Sequence, residues 1–186
     1  MARPLRTATV AAGETYHVFA RGNAKMTVFH EAEDYEAYLA VLGIYARICK
    51  VDILHYCLMP NHFHLLLRTT AANLPDFMHA VQLRYARWYG KKYKRVGHVW
   101  QGRYKSKHIP TGAYLYACGN YIEMNPVRSH LVTRPEDWKY SSYRAYAFGE
   151  RNDLIATDPF YPSIATTDED RQRIYHETVA RTRVTA

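Results

Sequence analysis

No run of about 18 or more apolar residues occurs anywhere in this chain, so no segment is expected to cross a membrane as a helix. Cysteine is scarce: Cys49, Cys57 and Cys118 are an odd three with no CxxC spacing, which points to buried free thiols in a reducing cytosol instead of a disulfide framework. The start of the chain holds Arg3 and Arg6 ahead of a weakly apolar Thr7–Ala12, too short for a signal peptide. Phenylalanine is sparse, 6 residues against 17 tyrosines, so ring surface comes with a hydroxyl that can bond or attack. The longest gap is in acids: neither Asp nor Glu occurs from Arg84 to Ile122.

What is present favours one domain with a real core, at 186 residues and 48% hydrophobic content. The formal net charge of +8 implies a polyanionic partner, nucleic acid ahead of a membrane surface, since no basic amphipathic anchor stands alone. In the acid-free stretch Arg84, Arg87, Lys91, Lys92, Lys94, Arg95, Arg103, Lys105 and Lys107 interleave with Tyr85, Trp88, Tyr89, Tyr93, Trp100 and Tyr104. Cations neutralise phosphates, and aromatics stack on unpaired bases. Arg84, Arg87 and Lys91 follow i, i+3, i+7 and form one helical stripe. The alternative is a solvated basic face whose aromatics fill the core; the length of the acid-free run favours nucleic acid. Expected DNA contacts are the cations from Arg84 to Lys105 together with Trp100 and Tyr104.

Residue periodicity predicts strands at 16–21, 51–58 and 62–69, the last two joined by a turn at Met59-Pro60-Asn61. Helices are predicted over 32–49 and from Pro75 to about Tyr93. A strand broken by Gly102 follows over 98–109. A third helix, capped by Thr111, ends near Asn125 because Pro126 follows. The order β-α-β-β-α-β-α is an α+β, ferredoxin-like split β-α-β arrangement. Residues 126–148 add a Trp/Tyr-rich segment, 149–166 a loop, and 167–182 a polar terminal helix.

Two local patterns carry chemistry. His62 and His64, two apart on a strand, share a face and can hold one cation, while Phe63, Leu65 and Leu67 point to the core. A bare HxH by itself favours the ordinary reading, two partly exposed histidines in a sheet. Tyr121 and Asn125, four apart on a helix, are neighbours. A phenol there can attack phosphorus if a base or metal helps its proton leave, and the amide oxygen can reach the metal. The other reading makes Tyr121 a core tyrosine. Glu123 lies on a different helical face and is expected to be a solvated charge. His98 and His108 belong to no recognisable pattern and are taken as DNA-facing or structural.

Five blocks in order, Tyr16-His17-Val18 with Arg21-Gly22-Asn23, Leu58 to Leu66 (LMPNHFHLL), Gly97 to Lys105 (GHVWQGRYK), Tyr121 to Arg128 (YIEMNPVR) and Pro135 to Tyr143 (PEDWKYSSY), resemble the REP-associated tyrosine transposases, single-tyrosine HUH transposases of bacterial insertion sequences. The resemblance spans about residues 15–146. It implies an HUH endonuclease core over 15–148, after a basic arm of residues 1–14 and before a segment, 149–186, of open role. His62 and His64 match the metal ligands around hydrophobic Phe63, Tyr121 matches the nucleophile, and Asn125 stands where relatives complete the metal site. The implied cofactor is a divalent cation, Mg or Mn. The implied partner is single-stranded DNA near imperfect hairpins, and the implied reaction is cleavage and rejoining through a 5′-phosphotyrosine. The implied setting is the bacterial cytoplasm at the nucleoid, as monomer or homodimer. Competing functions are a domesticated hairpin-binding protein that no longer cuts, a metal-dependent nuclease using water, and an RNA-binding sheet.

Overall fold

Segments whose successive residues face opposite sides assemble into one four-stranded antiparallel sheet of β1 (Thr15–Arg21), β2 (Val51–Met59), β3 (His62–Thr69) and β4 (Lys105–Ile109), ordered β2-β3-β1-β4. The computed structural model describes residues 10–110 and 112–182. The basic arm up to residue 9, the last residues of the terminal segment, and Thr111, expected as a helix cap, lie outside the described residues. With α1 (Ala32–Cys49) joining β1 to β2 and α2 (Leu74–Lys92) joining β3 to β4, the sheet has the split β-α-β, ferredoxin-like topology that the residue pattern predicts.

The two faces carry different loads. One packs under α1 and α2, where Tyr38, Leu42, Phe63, Leu65, Leu67 and Tyr85 are fully buried. Each such side chain contributes about 1.5–3 kcal/mol of burial, so the tyrosines here are core, and Tyr85 satisfies its hydroxyl by donating to Val28 O at 2.6 Å. The other face is crossed by α3 (Ala113–Glu123), whose Leu115 and Ile122 sit on Leu54 and Leu66. A register shift between Ile53 and His55 lets both Leu54 and His55 face α3. The outer edge of β2 is covered by residues 138–142: Leu58 N donates to Tyr140 O at 2.9 Å and Ser142 N to Tyr56 O at 3.0 Å. Beyond lie α4 (Asn125–Arg128), α5 (Tyr143–Phe148) and α6 (Asp168–Thr182), with Tyr143, Tyr146, Tyr175 and Val179 forming a further buried cluster.

Three boundaries differ from expectation. The strand predicted over 98–109 survives only as β4, because Gly102 takes φ +77° and Trp100 leaves the ladder to bridge Gly22. Pro75 is the second residue of α2 instead of the first. The third helix stops at Glu123, and Pro126 does not end the helical path: it is the second residue of α4, where its missing N–H costs nothing. Among the described residues no helix is long and apolar enough to cross a membrane.

Candidate active site

Pairing in the sheet builds the site before any helix is added. Arg21 is registered opposite His62 and Phe19 opposite His64, so His17, Phe19 and Arg21 of β1 share a face with His62 and His64 of β3. The two imidazoles of β3 lie 5.1 Å apart, centroid to centroid, with planes at 84°. Burial is the main cause that lowers the pKa of His62 to about 4, with the Arg21 cation adding to it. Burial also lowers His64 to about 3, with His17, His62 and Arg21 contributing. Both rings are therefore neutral at pH 7, the form in which imidazole can ligate a metal. His62 Nδ1 is 2.6 Å from Asn61 Oδ1, and His64 Nδ1 is 2.9 Å from His17 Nε2.

α3 lays the second half of the site over this face. Tyr121 is 41% exposed although its neighbours Ile122 and Glu123 are fully buried, and its ring centroid is 6.2 Å from that of His64. Arg128, one turn into α4, holds its guanidinium 5.3 Å from the Tyr121 ring centre. Asn125 is buried, and its Nδ2 donates to Tyr121 O at 2.8 Å and Ile122 O at 3.1 Å, which leaves Oδ1 as its uncommitted polar atom. A cavity of about 620 Å³ joins Arg21, His62, His64, Tyr121 and Asn125 to Arg103 and Lys105. Neutral imidazoles, an amide oxygen, a phenol and three cations converge there, an arrangement suited to a phosphate ester. Among the described residues no group of three or more His, Cys, Asp or Glu can hold a metal, so a cation here would draw on the Asn125 oxygen as well as the two rings.

The expected DNA-contacting residues separate into groups. Arg103 and Lys105 line the cavity just described. Arg87 lines a neighbouring cavity of about 740 Å³ with His79, Gln82 and His98, and Gln101 and Arg103 line both, so the two adjoin. Arg84, Lys91, Lys94 and Arg95 are exposed on α2 and the turn after it. Three expectations are corrected. Lys92 is not free for phosphate: its Nζ lies 2.7 Å from carboxylate oxygens of Glu31, Glu33 and the buried Asp34, which ties the end of α2 to the start of α1. Trp100 and Tyr104 are buried in the core under α2, Trp100 donating its indole N–H to Gln82 O at 3.3 Å, so neither offers a free ring to a base.

Glu123 is also corrected. It is fully buried, accepting from Ser142 Oγ at 2.5 Å and Tyr175 OH at 2.6 Å and lying 2.9 Å from His55 Nδ1. Helical-face reasoning failed because these partners sit on β2, the edge segment and α6. Of the two histidines without a pattern, His108 lies at 2.5 Å from Glu14 on the opposite face, and His98 is exposed. Sequence reasoning gave no role to His17, Arg21 or Arg128; the first two show themselves only once β1 is paired with β3.

Residues 11–125 match the family of IS200-like transposases. Among curated proteins no sequence matches. Among solved structures, the chain is similar to a REP-associated tyrosine transposase bound to a REP hairpin, at 18% identity and a TM-score of 0.67 over 85% of this chain and 93% of that one. It is also similar, at 21% identity and a TM-score of 0.46 over 66% of this chain and 96% of the other, to a candidate transposase from Deinococcus radiodurans. The first likeness shows a shared fold.

Proposed function

The chain belongs to the IS200-like transposases, and from that membership we propose that it cuts and rejoins single-stranded DNA beside hairpins with Tyr121 as nucleophile. The observation that carries this reading is the pairing of an exposed Tyr121 with two neutral imidazoles in one cation-rimmed cavity. Tyr114, the other exposed tyrosine of α3, lies outside that cavity. The hairpin as partner is supported by the fold shared with a transposase bound to a REP hairpin.

His62, His64 and the Asn125 amide oxygen would hold a divalent cation. Two nitrogens and one oxygen suit Mn better than Mg, which prefers oxygen ligands, so Mn should bind more tightly. When bound, the cation supplies charge stabilisation to the phosphate oxygens. Arg21, Arg103 and Lys105 neutralise the backbone around the scissile phosphate, and Arg128 stabilises negative charge developing on the phenol oxygen. The Tyr121 oxygen bonds to phosphorus as its proton leaves, and the bond from phosphorus to the 3′ oxygen breaks. That oxygen takes up a proton to become a free 3′-OH. Attack by a 3′-OH from another strand reverses the step and joins DNA. The ester energy is kept in the phosphotyrosine, so no nucleotide is consumed.

The test is a denaturing gel after incubation with a single-stranded hairpin DNA and Mn. Wild type should form a covalent adduct, and Tyr121→Phe should bind DNA and form none. His62→Ala with His64→Ala should keep salt-sensitive binding and lose cleavage. Cleavage without an adduct would turn the reading to a nuclease that uses water.

A further inference from the structure

We infer that His17 and Asn61 are positioning residues that fix the proton of each site imidazole on Nδ1, leaving Nε2 bare. Asn61 acts on His62, and His17 acts on His64. The inference rests on the proposed cation site.

Imidazole ligates a metal through the nitrogen that carries no proton, and that nitrogen is chosen by what the other one bonds. For His62 the choice is forced. The Nδ1 lies 2.6 Å from Asn61 Oδ1, an atom that only accepts, so the proton sits on Nδ1. The orientation of the Asn61 amide is set independently, because its Nδ2 donates to Lys25 O at 3.2 Å. His62 and Asn61 adjoin in sequence, and the short Pro60-Asn61 turn after β2 is what places the amide beside the ring.

For His64 the partner comes from β1. His17 Nε2 lies 2.9 Å from His64 Nδ1, and both rings are largely buried, so one proton is shared between two neutral rings. His17 is not a third ligand. It is absent from the walls of the cavity that holds His62, His64 and Asn125, and lines a separate one with Lys107, Tyr114 and Cys118, the two meeting at Tyr121. It therefore stands behind His64. A cation on His64 Nε2 requires the proton on Nδ1, and His17 Nε2 is the acceptor placed for it. The two imidazoles are thus handled alike by unlike residues, each with its Nδ1 occupied from outside the cavity.

Losing such an outer partner should weaken metal binding about 10- to 100-fold. Two readouts test this, and neither depends on strand cleavage. Long-range proton–nitrogen NMR on histidine-labelled protein without metal reports which nitrogen of each ring is protonated. Wild type should show Nδ1–H on His62 and His64. His17→Gln, whose Oε1 can accept, should keep the His64 pattern, and His17→Phe should lose it; Asn61→Leu should lose the His62 pattern. Titration with Mn followed by electron paramagnetic resonance should give near-wild-type affinity for His17→Gln and the 10- to 100-fold loss for His17→Phe and Asn61→Leu. Nε2–H on either ring in wild type overturns the inference, as does an unchanged tautomer with unchanged Mn affinity in His17→Phe. If His17→Phe does not fold, the wild-type spectrum and His17→Gln decide. Wild type that shows the Nδ1–H pattern but binds no Mn overturns the cation site and leaves the control of the tautomer standing.

Discussion

His55 is enclosed on all sides, with Nδ1 2.9 Å from Glu123 Oε1 and Nε2 3.1 Å from Asp158 Oδ2. Burial alone would lower its pKa, but the hydrogen bonds with Asp158 and Glu123 outweigh burial and raise it from 6.5 to about 9. A histidine raised in the folded state contributes stability that is complete below its unfolded pKa, near 6.5, and lost as pH rises through about 9. The denaturation midpoint should therefore fall between pH 7 and about 9.5, and His55→Gln should remove that part of the slope. A midpoint that stays level in wild type over this window contradicts the charged clasp. Residues of this kind are the least legible in sequence. Glu123 is 68 residues from His55 and 52 from Tyr175, so no local pattern announces that it is buried. His62, His64, Tyr121 and Asn125 stand out in the sequence only because the blocks that carry them, Leu58 to Leu66 and Tyr121 to Arg128, resemble the family; the spacing of each pair by itself leaves the ordinary reading ahead.

At the scale of elements, α3 is seated closely on β2 at Gly119. A Cβ on Gly119 would stand 2.6 Å from His55 Nε2 and 2.7 Å from its Cε1, atoms of a ring held on both sides by carboxylates. Alanine ordinarily improves a helix by about 1 kcal/mol over glycine. Here the overpacking should win, so Gly119→Ala is expected to destabilise by about 1–3 kcal/mol net, measured by chemical denaturation. A gain in stability would show that the ring can yield. The adduct yield of folded Gly119→Ala should fall as well, since the same helix carries Tyr121. α1 and β3 match their expected bounds because their ends have local causes: the capping box of Glu31 and Asp34, and the Pro60-Asn61 turn. β4 is shorter than its sequence pattern because pairing with β1 decides its length, and Gln101 N is drawn off to Arg21 O at 2.9 Å.

At the scale of the molecule, Arg21, Arg103 and Lys105 line the cavity of Tyr121, and further cations continue from it. Arg103 links the cavity of Tyr121 to the one beside Arg87, and Arg84 and Lys91 extend the exposed cations along α2. Replacing Arg84, Arg87 and Lys91 together by Ala should flatten the salt dependence of single-strand binding by about 0.7 in log–log slope for each lost phosphate contact. Adduct yield at saturating DNA should stay near wild type; unchanged affinity and slope would take this face off the DNA path. The partner class was legible from the acid-free stretch, but which of its members face outward was not, because burial of Trp100 and Tyr104 and capture of Lys92 by Asp34 depend on how α2 docks on the sheet and α1. Strand cleavage is assigned to one tyrosine among 17. Its most direct measurement is to trap the covalent complex with hairpin DNA and Mn, digest protein and DNA, and locate the nucleotide-bearing residue by mass spectrometry. A 5′-phosphate on the Tyr121 oxygen is the expected result; a nucleotide on any other residue, or cleaved DNA with none attached, would contradict Tyr121 as nucleophile.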